Sequence, residues 1–201
     1  MTFCQEQTNR AHQTINHMKN TKESVKTLEK KAFEALKEEF GYKNVMASPR
    51  LTKVVISVAT GTMMKKDRNK NDFVMDRLAK ITGQKPTLRV AKKAVASFKT
   101  RIGDKIGVAV TLRGDRMYAF VDKLFNATLP RTKDFRGISR TSVDAIGNIT
   151  FGIKEHSIFP EIADEEIKDI FGMAVTIVTT AKTVPEATKF LELLGIPFKK
   201  A

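Results

Sequence analysis

The sequence predicts an α+β fold, a two-layer sandwich in which helices pack on one face of a mainly antiparallel sheet. Two observations predict it. Segments with apolar residues at every second position occur between segments with helical spacing of apolar residues. Each predicted strand is also apolar on one side only, as in antiparallel sheets that face water on the other side. A parallel sheet covered on both faces would carry continuous apolar runs instead.

Four segments have apolar residues three and four positions apart and are predicted to be amphipathic helices. They cover residues 24–40, 72–82, 116–129 and 183–194. Gly41 and Gly83 are expected to end the first two, because glycine readily adopts the left-handed conformation that follows a helix. Pro130 is expected to end the third helix. Thr183 and Glu186 have the spacing of a capping box, which predicts where the last helix begins.

Four segments alternate apolar and polar residues and are the predicted strands. They cover residues 51–60, 106–113, 148–154 and 174–181. The side chains on the other face of the sheet are mostly hydroxyl-bearing or cationic, and they are Lys53, Ser57, Thr111, Arg113, Thr150, Lys154, Thr176 and Thr180. Such a face suits the sugar hydroxyls and phosphates of a nucleic acid. The alternative is a face that is polar only because it is wet, since threonine is a good strand residue.

The net charge of the 201-residue chain predicts a polyanionic partner. Lys and Arg number 36 against 22 Asp and Glu, which gives +14. Hydrophobic residues make up 41% of the chain, which is enough for a core and excludes disorder throughout. We expect residues 24–201 to form one α+β RNA-binding domain, preceded by an irregular extension over residues 1–23 with few apolar positions.

The residue types that carry most chemistry are sparse. No apolar run approaches the roughly 18 residues that a membrane-spanning helix needs, so we expect no membrane contact and a place in the cytoplasm. Cys4 is the only cysteine, which excludes an intrachain disulfide. The histidines, His12, His17 and His156, lack metal-ligand spacing and are expected to be exposed structural residues. Without phosphate-loop, dinucleotide or nucleophile-elbow motifs, we expect no cofactor, no metal and no enzymatic activity.

Basic residues form two clusters along the chain. The first lies between residues 84 and 105 and comprises Lys85, Arg89, Lys92, Lys93, Lys99, Arg101 and Lys105, with Asp104 as its one acid. These like charges repel, which predicts a loop or hairpin that packs tightly only when a polyanion neutralises it. A solvated surface loop is the alternative. The second cluster comprises Arg131, Lys133, Arg136 and Arg140. With no Trp and two Tyr, recognition is expected to rest on RNA backbone and shape.

Several separate segments together resemble one family. They are Ile81–Pro86, Ala91–Lys99, Val110–Gly114, Pro130–Gly137, Phe159–Ile162, Thr179–Lys182 and Pro197–Lys200. In sequence and spacing they resemble the bacterial large-subunit ribosomal proteins that bind 5S ribosomal RNA, and the likeness extends in order from Ser24 to Ala201. The resemblance implies an α+β fold and a place in the central protuberance of the large subunit.

The resemblance also implies three sets of binding residues. Sheet and loop residues would bind 5S rRNA, and here they are Lys53, Ser57, Gln84, Lys85, Thr111 and Arg113. A mobile basic loop would reach the transfer RNA in the peptidyl site through Arg89, Lys92, Lys93, Lys99 and Arg101. A bridge to a protein of the small-subunit head would use Arg131, Lys133, Arg136 and Arg140. Large-subunit rRNA and neighbouring large-subunit proteins are the other implied partners.

The first strand departs from the family pattern. Where the family usually has Asn-Met-Gly, this chain has Ser57, Val58 and Ala59. Serine keeps a hydroxyl but lacks the paired donor and acceptor of an amide. Alanine does not readily adopt the positive φ that glycine allows.

Two other functions remain open on the residues alone. One is a small enzyme acting on nucleotides or RNA, with Arg113, Asp115 and Lys154 near a phosphate. It would need a reactive pair of side chains, which the sequence does not offer. The other is a free regulatory RNA- or DNA-binding module, which would not sediment with the large ribosomal particle.

Overall fold

The computed structural model describes residues 24–61, 70–133, 135–162 and 170–199, so the predicted extension, with Cys4, His12 and His17, lies outside the described residues. The helices are α1 (Val25–Phe40), α2 (Lys70–Thr82), α3 (Asp115–Lys123) and α4 (Val184–Leu193). The strands are β1 (Leu51–Ala59), β2 (Thr87–Val90), β3 (Lys105–Leu112), β4 (Ile149–Ile153) and β5 (Met173–Thr179). They form the predicted α+β sandwich with an antiparallel sheet.

The chain forms two compact units. We call residues 53–120 and 150–177 the sheet unit, because they hold most of the five strands. The described residues within 1–52, 121–149 and 178–201 form the terminal unit.

The sheet unit is built on strands in the order β2-β3-β1-β5-β4. Val54 lies opposite Leu112 and Ile56 opposite Val110, and all four side chains are buried. Helix α2 packs against β3 with its predicted apolar stripe, which includes the buried Leu78. Each such large side chain stabilises the fold by about 1.5–3 kcal/mol through burial. The predicted apolar positions of β1 and β3 therefore form this core, except Ile106, which is 37% exposed.

Strand β2 was not predicted, because the basic residues around it suggested a loop. It is a four-residue edge strand paired with β3, and Arg89 lies opposite Gly107. Short, charged edge strands are common because they discourage pairing with other chains. Gly107 lets the strands approach closely, since a Cβ there would lie 3.1 Å from the Val58 carbonyl oxygen.

The terminal unit packs α1 against α4. Ser24 occupies the predicted N-cap position of α1, but its side chain makes no capping bond. Asp122 supplies the cap instead: one carboxylate oxygen accepts from the Val25 N–H at 2.7 Å and the other from the Ser24 hydroxyl at 3.0 Å. A negative charge at this end also complements the helix dipole.

Two other predicted helix boundaries differ from the structure, namely the end of the third helix at Pro130 and the capping box at the start of the last helix. Beyond α3 the chain continues as a π-helical turn over Leu124–Thr128 and a last α-helical turn over Leu129–Arg131. Pro130 lies at the start of that last turn, where its missing N–H is tolerated. The predicted capping box does not form, because Glu186 accepts from the Lys182 N–H at 2.9 Å and from the Tyr42 hydroxyl.

His156 is buried in the sheet unit, with 3% of its surface exposed, so the expectation of an exposed histidine was wrong. Its ring stacks on Phe171 with 4.0 Å between centroids, and its Nδ1 accepts from the Phe171 N–H at 3.3 Å. Burial, assisted by the charge of Arg77, lowers the pKa of His156 below its usual 6.5.

The lowered pKa of His156 predicts that stability depends on pH. Near pH 6 the unfolded chain binds more protons at this residue than the folded chain does. The free energy of unfolding should therefore be highest above about pH 6.5 and should fall as the pH drops from there to the folded pKa. Urea unfolding at several pH values tests this. His156→Gln keeps an acceptor but does not titrate, so its unfolding free energy should fall less steeply. Equal pH dependence in both proteins would contradict the prediction.

Two stretches of the terminal unit lie side by side. Ile138 and Phe198 form a parallel β-bridge, in which the Ile138 N–H donates to the Pro197 carbonyl at 2.8 Å and the Lys199 N–H to the Ile138 carbonyl at 2.9 Å. Gly137 has φ +92°, and a Cβ there would lie 2.7 Å from the Lys199 backbone nitrogen. Only glycine fits between these backbones without displacement.

This contact predicts a specific loss of stability. Gly195 has the same φ of +92°, but a Cβ there would meet nothing within 4 Å. Gly195→Ala therefore measures the cost of the left-handed conformation alone. Gly137→Ala should lower the free energy of unfolding by more than about 1 kcal/mol beyond that, because backbone must also move. Urea unfolding compares the two variants, and equal losses would show that the backbones separate freely.

Candidate nucleic-acid interface

The polar face of the sheet unit lies on β1 and β3. Ser57 and Arg113 are exposed, and Lys53 and Thr111 are partly exposed, while Val54, Ile56 and Leu112, which point to the other face, are buried. Ser57 lies opposite Ala109 and Thr111 opposite Val55. These residues thus share one face, as the alternation predicted.

Gln84 joins this face from outside the sheet. Thr82, at the end of α2, is buried, and its hydroxyl donates to the Leu78 carbonyl at 2.7 Å. Two residues later, the Gln84 side-chain nitrogen donates to the Thr111 carbonyl at 3.3 Å. Gln84 and Thr111 are 27 positions apart in sequence and come together here. Lys85 follows and is exposed.

The middle of the polar face carries only small side chains. Ala59 lies opposite Gly107 and Ser57 opposite Ala109. Arg89 of the edge strand lies on the other side of Gly107. A flat strip of small residues, bordered by a cation, allows a nucleic-acid backbone to approach the sheet closely.

In the β4–β5 part of the polar face, side-chain hydroxyls form hydrogen bonds within the protein. The hydroxyl oxygens of Thr150 and Thr176 lie 3.0 Å apart. In the terminal unit the Thr180 hydroxyl accepts from the Arg50 N–H at 2.8 Å. Lys154 is exposed. Here two predicted hydroxyls satisfy each other, so this region offers fewer groups to a ligand.

The chain between β2 and β3, residues 91–104, forms an exposed hairpin that we call the basic loop. At its base the Ala91 N–H donates to the Asp104 carbonyl at 2.8 Å, and nearer its tip Val95 and Thr100 exchange two backbone bonds of 3.2 Å. All residues from 92 to 99 are exposed. Lys99 has φ 52° and is the one non-glycine with positive φ in the described part of the chain. Such strained residues cluster at functional sites.

The basic loop presents charge and apolar surface together. Five predicted cations lie in the basic loop or, for Arg89, in the adjoining strand β2, and all five are exposed. None has an ion-pair partner among residues 24–61, 70–133, 135–162 and 170–199. They are Arg89, Lys92, Lys93, Lys99 and Arg101. Asp104 accepts from the Arg101 N–H at 2.6 Å, so the one acid supports the backbone. Phe98 is 67% exposed and Ile102 73% exposed. This combination suits RNA, which has phosphates and base surfaces.

The second basic cluster lies in the terminal unit. Arg131, Lys133, Arg136 and Arg140 are all exposed. Arg140 forms an ion pair with Glu192 at 2.8 Å. The other three have no ion-pair partner within the described ranges, so they carry most of the free charge of the cluster.

Other kinds of site receive little support. Among the described residues, no group of three or more His, Cys, Asp or Glu side chains could hold a metal ion. None of the described helices has the length and apolar character needed to cross a membrane. Asp115, which the enzyme hypothesis needs, is an exposed residue in the first turn of α3.

Comparisons with known proteins agree with the resemblance. A family model described as "Ribosomal protein L5" matches residues 44–101, and the model for the C-terminus of the same ribosomal protein family matches residues 105–198. The chain is 53% identical over 165 residues to a protein of Heliobacterium modesticaldum, covering 82% of this chain and 91% of that one. It is 52% identical over 172 residues to a protein of Thermoanaerobacter sp., covering 86% and 96%. Both relatives are called large ribosomal subunit protein uL5.

Proposed function

Because the chain belongs to the uL5 family of large-subunit ribosomal proteins, we propose that it binds 5S ribosomal RNA in the central protuberance. As a member of this family it is a structural constituent of the large ribosomal subunit in the cytoplasm and not an enzyme. Ribosomal RNA and neighbouring ribosomal proteins are its partners. Membership excludes both the enzyme and the regulatory module outside the ribosome.

The meeting of Gln84 with Thr111 is the observation that carries the 5S rRNA proposal. The bond between them uses the Gln84 side-chain nitrogen, and the amide oxygen accepts no hydrogen bond from the described part of the chain. An amide, a hydroxyl and the Arg113 guanidinium then lie along one strand end, next to Lys53 and Ser57 on β1. This set can bind sugar hydroxyls and phosphates of a folded RNA.

The departures in β1 are compatible with this proposal. Ala59 does not have a positive φ, so the alanine sits in ordinary strand geometry and needs no glycine. The exposed Ser57 can still donate and accept a hydrogen bond. We infer that the serine contact is weaker than an asparagine contact and that the remaining polar residues supply most of the affinity.

We propose that the basic loop contacts the transfer RNA in the peptidyl site. Support comes from the exposure of residues 92–99, with Phe98 among them, and from cations that have no ion-pair partner among the described residues. A hairpin closed by its own backbone bonds loses less conformational freedom on binding than an open loop would.

For the bridge to a small-subunit head protein we propose Arg131, Lys133, Arg136 and Arg140. Their exposure supports it, and cations on an exposed surface steer an acidic partner. We also propose that residues 24–201 act as one RNA-binding domain, with the extension separate from it.

Titration of the full-length chain with 5S rRNA tests the function. An unrelated RNA hairpin is the control ligand, and both are titrated at two salt concentrations. We expect clear preference for 5S rRNA and, for about six phosphate contacts, a slope of about −4 to −5 for the logarithm of affinity against that of salt. Equal affinity for the hairpin would contradict the proposal.

A further inference from the structure

The tip of the basic loop is a turn closed by backbone hydrogen bonds. Val95 and Thr100 flank it and exchange two backbone bonds of 3.2 Å, and the Thr100 hydroxyl donates to the Val95 carbonyl at 3.4 Å. Inside the turn the Lys99 N–H donates to the Ala96 carbonyl at 3.0 Å, and Lys99 has φ 52°. These bonds hold the backbone of Phe98 in one conformation before any ligand binds.

Phe98 is exposed at this tip. Its side chain is 67% exposed, and it is the only exposed aromatic residue in the part of the chain that the structure describes. Val95 and Ile102 of the same hairpin are 40% and 73% exposed. Exposed apolar side chains that are grouped in this way mark interaction sites, whereas single ones are ordinary surface. The tip of the basic loop therefore has the character of a contact surface.

The charges around Phe98 favour a polyanion as the ligand. Lys92, Lys93 and Lys99 are exposed cations of the same hairpin, and none has an ion-pair partner among the described residues. An acidic protein could satisfy these cations, but a nucleic acid also offers base faces, on which aromatic rings stack. A fixed ring beside several lysines thus fits a base that no neighbouring base covers.

We propose that Phe98 stacks on an uncovered base of the transfer RNA in the peptidyl site while neighbouring lysines bind its phosphates. The inference rests on the proposed contact between the basic loop and transfer RNA. It adds a base contact to recognition that would otherwise depend on charge alone.

Binding of transfer RNA to the peptidyl site of ribosomes reconstituted with Phe98 variants tests the proposal. Phe98→Leu keeps an apolar side chain but removes the ring, and it should weaken binding by about tenfold, as the loss of one stacked base does. Phe98→Tyr keeps the ring and should bind within about twofold of the unaltered chain. Because Phe98 is exposed, neither change should shift the thermal unfolding midpoint of the isolated chain.

Salt dependence separates stacking from charge. Lys99→Gly is the matched variant in the same turn, because glycine keeps the left-handed backbone while one charge is lost. With binding measured at several potassium concentrations and fixed magnesium, Lys99→Gly should reduce the slope of log affinity against log salt by about 0.7–0.9. Phe98→Leu should lower the affinity by the same factor at every concentration. A reduced slope for Phe98→Leu would show that the ring acts only by placing cations, which would overturn the proposal.

Photocrosslinking identifies the group that covers the ring. Ribosomes with transfer RNA in the peptidyl site are irradiated at short wavelength, and mass spectrometry of the peptides locates each attached nucleotide. We expect a transfer-RNA nucleotide attached at Phe98, since a stacked ring and base are close enough to react. No adduct at this residue, or an adduct with ribosomal RNA or another ribosomal protein instead, would overturn the proposal.

Phe33→Leu is the control for the loss of a ring. Phe33 is a partly exposed ring on α1 with the Lys37 ammonium 5.9 Å from its centroid, outside every proposed binding set. This variant should bind transfer RNA as the unaltered chain does, and an equal loss in both leucine variants would contradict stacking. If Lys92→Glu with Lys93→Glu loses transfer RNA and Phe98→Leu does not, stacking is wrong and the proposed function stands. If neither variant loses transfer RNA, the proposed function of the basic loop is wrong as well.

Discussion

Replacing Thr111 by Val together with Arg113 by Ala is expected to weaken binding of 5S rRNA by about 100-fold. The guanidinium can make charge-assisted hydrogen bonds worth about 1.5–3 kcal/mol and the hydroxyl a neutral one worth about 1 kcal/mol, and each 1.4 kcal/mol is about tenfold in affinity. Valine keeps the shape and strand preference of threonine, and Arg113 is exposed. Fluorescence anisotropy with labelled 5S rRNA at fixed salt measures the change.

A control for this variant lies on the same face. Thr176→Val with Lys154→Ala makes the same chemical change and removes the same charge on the β4–β5 part of the sheet. It should lower 5S rRNA affinity by no more than about threefold, as expected for one distant charge at moderate salt. If the Thr111 and Arg113 variant binds as tightly as the unaltered chain, the sheet face is not the 5S rRNA interface.

Replacing Lys92 and Lys93 by Glu is expected to weaken the contact with transfer RNA by about 100-fold, and 5S rRNA binding by less than about tenfold. The change moves the local charge by four units at exposed positions of the basic loop. Lost phosphate contacts are joined by repulsion, which accounts for the size of the effect. Binding of transfer RNA to the peptidyl site of ribosomes reconstituted with the variant measures it.

The control here has the same change in net charge. Lys30→Glu with Lys43→Glu alters two exposed lysines of the terminal unit, outside every proposed binding set. Binding of transfer RNA should be unchanged in that variant. If both double variants lose transfer RNA equally, net charge explains the loss. If the Lys92 and Lys93 variant loses both RNAs equally, the basic loop has no special role with transfer RNA.

Long periodic elements were predictable from sequence because their pattern reports burial directly. The stripe of α1 and the alternation of β5 both appear in the structure close to the predicted ranges. Strand β2 escaped prediction because four residues with an arginine have no readable period, and pairing with β3 decides their conformation. The cap of α1 escaped it as well, since Asp122 comes from 97 residues further along the chain.

Part of the candidate site could also be predicted from sequence. The polar sheet face followed from alternation, and the basic loop followed from charge density. The bond between Gln84 and Thr111 did not, because only the fold brings these residues together.

The cap from Asp122 has a consequence for biosynthesis. Chains are made at about 5–20 residues per second, so α1 leaves the exit tunnel some 5–20 seconds before the carboxylate that caps it. Helix α4, its packing partner, is translated later still. The nascent polypeptide therefore carries α1 with an exposed apolar stripe through most of its synthesis. The terminal unit can be completed only after α4 has left the tunnel.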